Sequence, residues 1–308
     1  MVEVCGLHRY FGPLKAVNDV SFRIGPGQVF GFIGPNGAGK TTTMRILATI
    51  DVPTHGDAYI NGLSVVDDPD RVRRSIGFMP DHFATYPNVN CWEYVDFYAR
   101  AYGLYGRARQ TAVRRVMAFT ELDGLADKPI NGLSKGMKQR LCLARSMIHD
   151  PSVLILDEPA AGLDPRARIE LRELIKLLAG EGKAILISSH ILTELAEMCD
   201  VVGIIELGQI VAAGPVDQIK ATTRTVSLLE IRVLRDADRA VEFLRTQHDV
   251  GDIEVKDRDL VVHFPSDEDA QADLLGRMLA AGVAVVGFRS RQENLEDVFM
   301  AITKGKVQ

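Results

Sequence analysis

The chain has 308 residues, 46% of them hydrophobic and 25% charged, an ordinary globular composition with length enough for two domains. Its 36 basic and 41 acidic side chains leave a net charge of −5, so no basic footprint for nucleic acid is present and no nucleic-acid partner is expected. Cys5, Cys91, Cys142 and Cys199 lack metal-site spacing, and the longest apolar stretch, about 278–288, is well short of the roughly 18 residues of a membrane helix.

Met1 leads directly into a mixed polar strand without an export signal, so the expectation is a soluble protein that reaches any membrane through a partner. Short alternating segments at 2–4, 16–24 and 58–60, broken by Gly-Pro turns and a glycine, predict an antiparallel β-region. The apolar run 29–33 then feeds Gly34-Pro35-Asn36-Gly37-Ala38-Gly39-Lys40-Thr41, a complete G-x-x-x-x-G-K-[ST] loop, and a helical pattern at 42–48 follows. That strand–loop–helix setting is what a phosphate-binding loop requires. Glycines let the backbone curl around a phosphate, and its amides then point inward at the positive end of the following helix. Lys40 adds a point charge near the β- and γ-phosphates, Thr41 offers a hydroxyl to Mg²⁺, and Thr42 opens the helix beside them.

Residues 83–105 hold eight of the chain's twenty aromatics, among them Phe83, Tyr86, Tyr94, Phe97, Tyr102 and Tyr105. Packing within a helical subdomain at about 82–149 accounts for most of them, and the density also suits a protein docking surface. Residues 131–140 lead into a helix on which Met137, Leu141, Ala144 and Ile148 recur at helical spacing; Ser134 is its N-cap, and Gly136 leaves first-turn amides open to an anion. The apolar run 153–156 ends in Asp157 and Glu158. A strand of this kind can set the first acid beside Mg²⁺ and the second where it polarises an attacking water. Further apolar runs at 184–187 and 201–205, with helices at 166–179 and 191–199, predict a mainly parallel sheet in an α/β P-loop core. After Gly214-Pro215 the segments 226–234, 237–247, 253–255, 260–264, 267–281 and 283–289 read β-α-β-β-α-β, with a terminal helix at 294–303 and a hairpin turn at Asp257-Arg258. That order predicts a small α+β, ferredoxin-like domain. The expected domains are therefore 1–220 and 221–308.

In sequence order, the loop at 34–41, Leu133-Ser134-Lys135-Gly136-Met137, the strand ending at Asp157-Glu158, Ala161-Gly162-Leu163-Asp164 and Ser189-His190 resemble the five motifs of the ATP-binding cassette (ABC) ATPases. The resemblance spans residues 1–215, and the small acidic C-terminal domain resembles that of ABC-2-type exporter ATPase subunits. It implies an ATPase using ATP and Mg²⁺, in which two subunits, identical or paralogous, sandwich two nucleotides and drive a separate membrane permease from the cytoplasmic face. By that resemblance Glu158 is the general base, His190 holds the γ-phosphate and water, Lys40 binds phosphate, and Asp157 with Thr41 holds the metal. Ser134 and Gly136 act across the dimer on the partner's nucleotide, Asp164 shapes the seam, and Phe11, rather than Tyr10, stacks on adenine.

Two departures from the family pattern stand out. Asp81 occupies the place of the Q-loop glutamine, with shorter reach, a charge, and His82 beside it; it can still approach Mg²⁺ or water. Lys135 and Met137 replace the signature's usual Gly and Gln, while Ser134 and Gly136 are kept. An importer ATPase with a regulatory C-terminal domain is the alternative within transport. A cytosolic ABC ATPase acting on ribosomes or DNA is the alternative outside it, disfavoured by the single P-loop, the absence of sustained heptads and the acidic charge.

Overall fold

The computed structural model describes residues 1–82, 88–221, 226–265 and 267–291. Phe83, Tyr86 and the expected helix at 294–303 lie outside them. The chain forms two compact units, the first running from Met1 to Val216 and the second beginning at Asp217.

The first unit opens with an antiparallel sheet of β1 (Val2–Phe11), β2 (Leu14–Ile24), β4 (His55–Ile60) and β5 (Leu63–Ser64), ordered β2-β1-β4-β5. Its alternating pattern sends Val2, Val4, Val20, Phe22 and Ile24 inward. The second sheet contains β3 (Val29–Ile33), β6 (Ile76–Met79), β7 (Val153–Leu156), β8 (Ala184–Ser189), β9 (Val201–Glu206) and β10 (Gln209–Pro215). Its order is β10-β9-β3-β8-β7-β6; all neighbours are parallel except the antiparallel edge pair β9–β10. Every residue of β3, β7 and β8 is buried, as their unbroken apolar runs require of central strands covered on both faces. The two sheets share one apolar core, in which Phe22 stacks on Phe30 with ring centroids 4.9 Å apart. Strands β6 and β10 carry no comparable run: the first has only four residues, one of them a glycine, and the second alternates exposed and half-buried positions.

Helices α1 (Lys40–Leu47) and α2 (Pro69–Val72) connect strands of these sheets. The helical region holds α3 (Cys91–Ala101), α4 (Gly106–Phe119) and α5 (Lys135–Met147). A reciprocal capping box between Asn90 and Glu93 starts α3, and the Ser134 hydroxyl caps α5, each satisfying amides that have no partner in the helix. Of the aromatics here, Tyr94 is buried and receives a hydrogen bond from Arg145, while Phe97, Tyr102 and Tyr105 are exposed. Helices α6 (Pro165–Gly180) and α7 (Leu192–Met198) flank β8, and α8 (Val216–Ala221) follows β10. None of the helices in the described residues is long and apolar enough to cross a membrane.

The second unit runs β11 (Val226–Val233), α9 (Ala237–Arg245), β12 (Ile253–Lys256), β13 (Asp259–Pro265), α10 (Glu268–Ala280) and β14 (Val285–Arg291). The sheet order is β12-β13-β11-β14, antiparallel throughout. Leu229, Ile231, Val233, Leu260, Val262 and Phe264 form a separate core with Ala240, Leu244, Leu274 and Met278 of the two helices. Asp257 takes the left-handed conformation, φ 56°, at the expected turn.

Candidate functional site

The loop after β3 has its shape because two positions exclude a side chain. A Cβ on Gly34 would lie 2.3 Å from the Ile205 carbonyl, and one on Gly39 would lie 2.3 Å from the Ala16 carbonyl. Gly39 also sits at φ 104° as the N-cap of α1, with no side chain capping the helix. The first amides of α1 are therefore left for a ligand, at the end where the peptide dipoles favour an anion. Lys40 folds back under this loop: its ammonium donates to the carbonyls of Gly34 at 2.6 Å and Pro35 at 3.2 Å. Burial lowers its pKa from the usual lysine value, opposed by the nearby Glu158 and Asp157 carboxylates.

A cavity of about 480 Å³ opens over the loop. Asn36 to Thr42, Phe11, Leu14, Ala16, Asp81, Glu158, Ala161 and His190 line it. Segments from five parts of the chain thus meet because β3 lies between β8 and β9, with β7 and β6 next along the sheet. Glu158 Oε1 is 4.0 Å from the Lys40 ammonium, and Glu158 Oε2 accepts a 2.8 Å contact from His190 Nδ1. Glu158 has a backbone φ of 51°, a left-handed conformation that costs a residue with a Cβ on the order of 1 kcal/mol or more. Asp157, at the end of β7, is only 1% exposed. The Ser188 hydroxyl, on β8, donates to Asp157 Oδ1 at 2.6 Å and accepts the Glu158 amide at 2.9 Å.

Asp157, Thr41 and Asp81 line a neighbouring cavity of about 570 Å³ with His82 and Arg145. These are hard oxygen donors, the kind that suit Mg²⁺. Among the described residues no group of three or more His, Cys, Asp or Glu is placed to hold a metal alone.

Phe11 reaches the loop cavity, 46% exposed, with the Arg9 guanidinium over its ring, 4.4 Å from the centroid. Arg9 is itself held by Asp51 at 2.8 Å. Tyr10 is engaged elsewhere: its hydroxyl contacts His8 Nδ1 and donates to Asn18. His82 Nδ1 lies 2.7 Å from Asp81. Ser134, Gly136 and Asp164 do not line the cavity. Ser134 caps α5 through the Met137 amide and Asp164 caps α6 through the Ala167 amide. A Cβ on Gly136 would stand 3.5 Å from Ala167 and 3.7 Å from Leu163, so these three residues group at the paired N-termini of α5 and α6. Ser188 and Arg9 are the residues that sequence reasoning missed. The available signal for Ser188 was a polar pair, Ser188-Ser189, closing an otherwise unbroken apolar strand.

Residues 17–161 match the family described as ABC transporter, and residues 214–303 match the C-terminal domain of ATP-binding proteins like DrrA1-3. The Nod factor export ATP-binding protein I of Bradyrhizobium sp. (strain SNU001) is 33% identical over 306 residues, covering 98% of this chain and 96% of that protein. The probable multidrug ABC transporter ATP-binding protein YbhF of Escherichia coli is 35% identical over 221 residues, and the match spans 72% of this chain but 38% of YbhF. Among solved structures, a dimer of the ATP-binding cassette MJ0796 bound to ADP and Pi, in a post-hydrolysis state, superposes with a TM-score of 0.63 at 25% identity, over 70% of this chain and 99% of that one. With the full-length relative and both family matches in agreement, the chain belongs to the ABC transporter ATP-binding proteins, in the exporter ATPase group that includes the DrrA- and NodI-like subunits.

Proposed function

We propose that this chain binds ATP and Mg²⁺ in the Lys40 cavity, hydrolyses the nucleotide in a dimer, and drives a separate membrane permease that exports its substrate. The observation that carries the reading is the convergence of Lys40, Glu158 and His190 on one cavity at the open N-terminus of α1. The loop amides and Lys40 hold the phosphates. Glu158, fixed between Lys40 and His190, takes the proton of the attacking water, and His190 orients that water and the γ-phosphate. Thr41 and Asp157, with Asp81 near them, would hold Mg²⁺, which when bound neutralises phosphate charge. Phe11, with Arg9 over its ring, stacks on the adenine.

Ser134 and Gly136 act on the nucleotide of a second subunit, and Asp164 sits at the seam. Their position outside the cavity of their own chain supports this, as does the dimer seen for the MJ0796 cassette. The permease docks from the cytoplasmic side of the membrane, with the exposed aromatics Phe97, Tyr102 and Tyr105 as candidate contacts. Export, rather than import, is supported by the match to a protein named for Nod factor export. We further assign residues 1–220 to the nucleotide-binding domain and 221–308 to a ferredoxin-like domain. The antiparallel order β12-β13-β11-β14 under two helices supports the second assignment.

Affinity purification of tagged Glu158→Gln from detergent-solubilised cells, with ATP and Mg²⁺, tests the whole reading. The variant is expected to bind ATP, to turn over at least about 100-fold more slowly, as loss of a general base costs, and to carry a polytopic membrane protein at near-stoichiometric yield. Ribosomal or DNA-bound partners without a permease would overturn it.

A further inference from the structure

We infer that Ser188 is a positioning residue that ties the metal-side carboxylate to the general base. The inference rests on the assignment of Glu158 as that base. Ser188 is fully buried at the end of β8, and its hydroxyl is used in both directions. The proton goes to Asp157 Oδ1 and a lone pair receives the Glu158 amide. Because a hydroxyl carries a single proton, donation to Asp157 fixes the direction of the bond and leaves oxygen lone pairs facing the Glu158 N–H.

Two consequences follow for the reacting groups. One oxygen of Asp157 is committed to Ser188, so the hydroxyl fixes the rotation of a carboxylate that lines the cavity it shares with Thr41. The Glu158 amide is anchored where the backbone stands at φ 51°, a conformation a glutamate holds only when its surroundings impose it. In that conformation the carboxylate lies between Lys40 and His190. Loss of the hydroxyl leaves a buried amide without its partner and removes the restraint on this conformation. The base then samples positions away from the water it must deprotonate. Ser188 is among the lining residues of neither cavity; it acts through Asp157 and Glu158.

The test compares wild type, Ser188→Ala, Ser188→Cys and Glu158→Gln in the full-length protein. Ser188→Cys leaves no cavity and replaces the strong hydroxyl donor with a weak one, so it guards against a folding failure of the alanine variant. Both Ser188 variants are expected to bind ATP without Mg²⁺ as wild type does. Both should lose at least about tenfold in kcat, with the KM for MgATP rising by no more than the Mg²⁺ gain in affinity that is lost. A fluorescence titration of ATP with and without Mg²⁺ supplies a readout apart from turnover: the gain in affinity on adding Mg²⁺ should shrink. If Ser188→Cys keeps wild-type kcat and the full Mg²⁺ gain while Glu158→Gln is inactive, Ser188 is a packing residue and this inference is wrong. If Glu158→Gln itself turns over normally, the failure belongs to the assignment of the base.

Discussion

Replacing Lys40 with methionine removes the charge and the donors while keeping most of the buried stem. In the folded protein Lys40 is 6% exposed and its ammonium already faces the cavity, held by the carbonyls of Gly34 and Pro35. At about 4 Å from a phosphate oxygen and an effective dielectric constant near 20, one charge pair contributes about 4 kcal/mol. Before a nucleotide binds, Lys40 already has its loop contacts and its neighbour Glu158, so part of that gain offsets bonds already made. A net loss of about 3 kcal/mol remains, equivalent to a roughly 150-fold higher Kd for ATP. Stability responds differently. The burial that lowers the lysine pKa is a cost that methionine relieves, while two hydrogen bonds are given up. These terms oppose each other, and the melting temperature should move by no more than about 3 °C. Isothermal titration of ATP in Mg²⁺, beside a thermal melt, separates the two. A folded Lys40→Met protein whose Kd lies within about threefold of wild type, where about two decades are expected, would falsify the phosphate-site assignment.

Phe11→Ala should raise the Kd for ATP about tenfold, the worth of one stacked base, with Phe11→Tyr close to wild type; equal affinities in an equilibrium titration would place the adenine elsewhere. Asp81→Gln should leave ATP affinity within about twofold, since the side chain is half-exposed and already paired with His82, and a large loss would make it a direct contact of the nucleotide or its Mg²⁺. His149 gives a pH-dependent prediction. Burial pushes its pKa down to about 4, with Nε2 donating to the Ile76 carbonyl and Nδ1 buried without a partner among the described residues. As pH falls, the unfolded chain takes up this proton first, so stability drops between pH 6.5 and about pH 4 by up to about 3 kcal/mol. His149→Gln should flatten that part of the melting profile; profiles that coincide across the range would show that another group carries the acid sensitivity.

What the sequence determined by itself was local. The loop at 34–41, the Ser134 cap and the buried runs of β3, β7 and β8 all rest on short-range physics, in which a glycine, a side-chain oxygen or an unbroken apolar run carries its meaning within a few residues. The same locality explains what went unread. β6 and β10 are short or at an edge, and their pairing partners, distant in sequence, decide that they are strands. Asp157 and Glu158 are adjacent acids, yet one is buried against Ser188 and the other sits at φ 51° between Lys40 and His190. Only the order of strands in the parallel sheet brings the ends of β3, β7 and β8 together, because registry between strands is a long-range choice with no local signal in the chain. The tertiary structure alone therefore decided that these side chains share one cavity, that Arg9 lies over the Phe11 ring, and that a serine bridges the two acids.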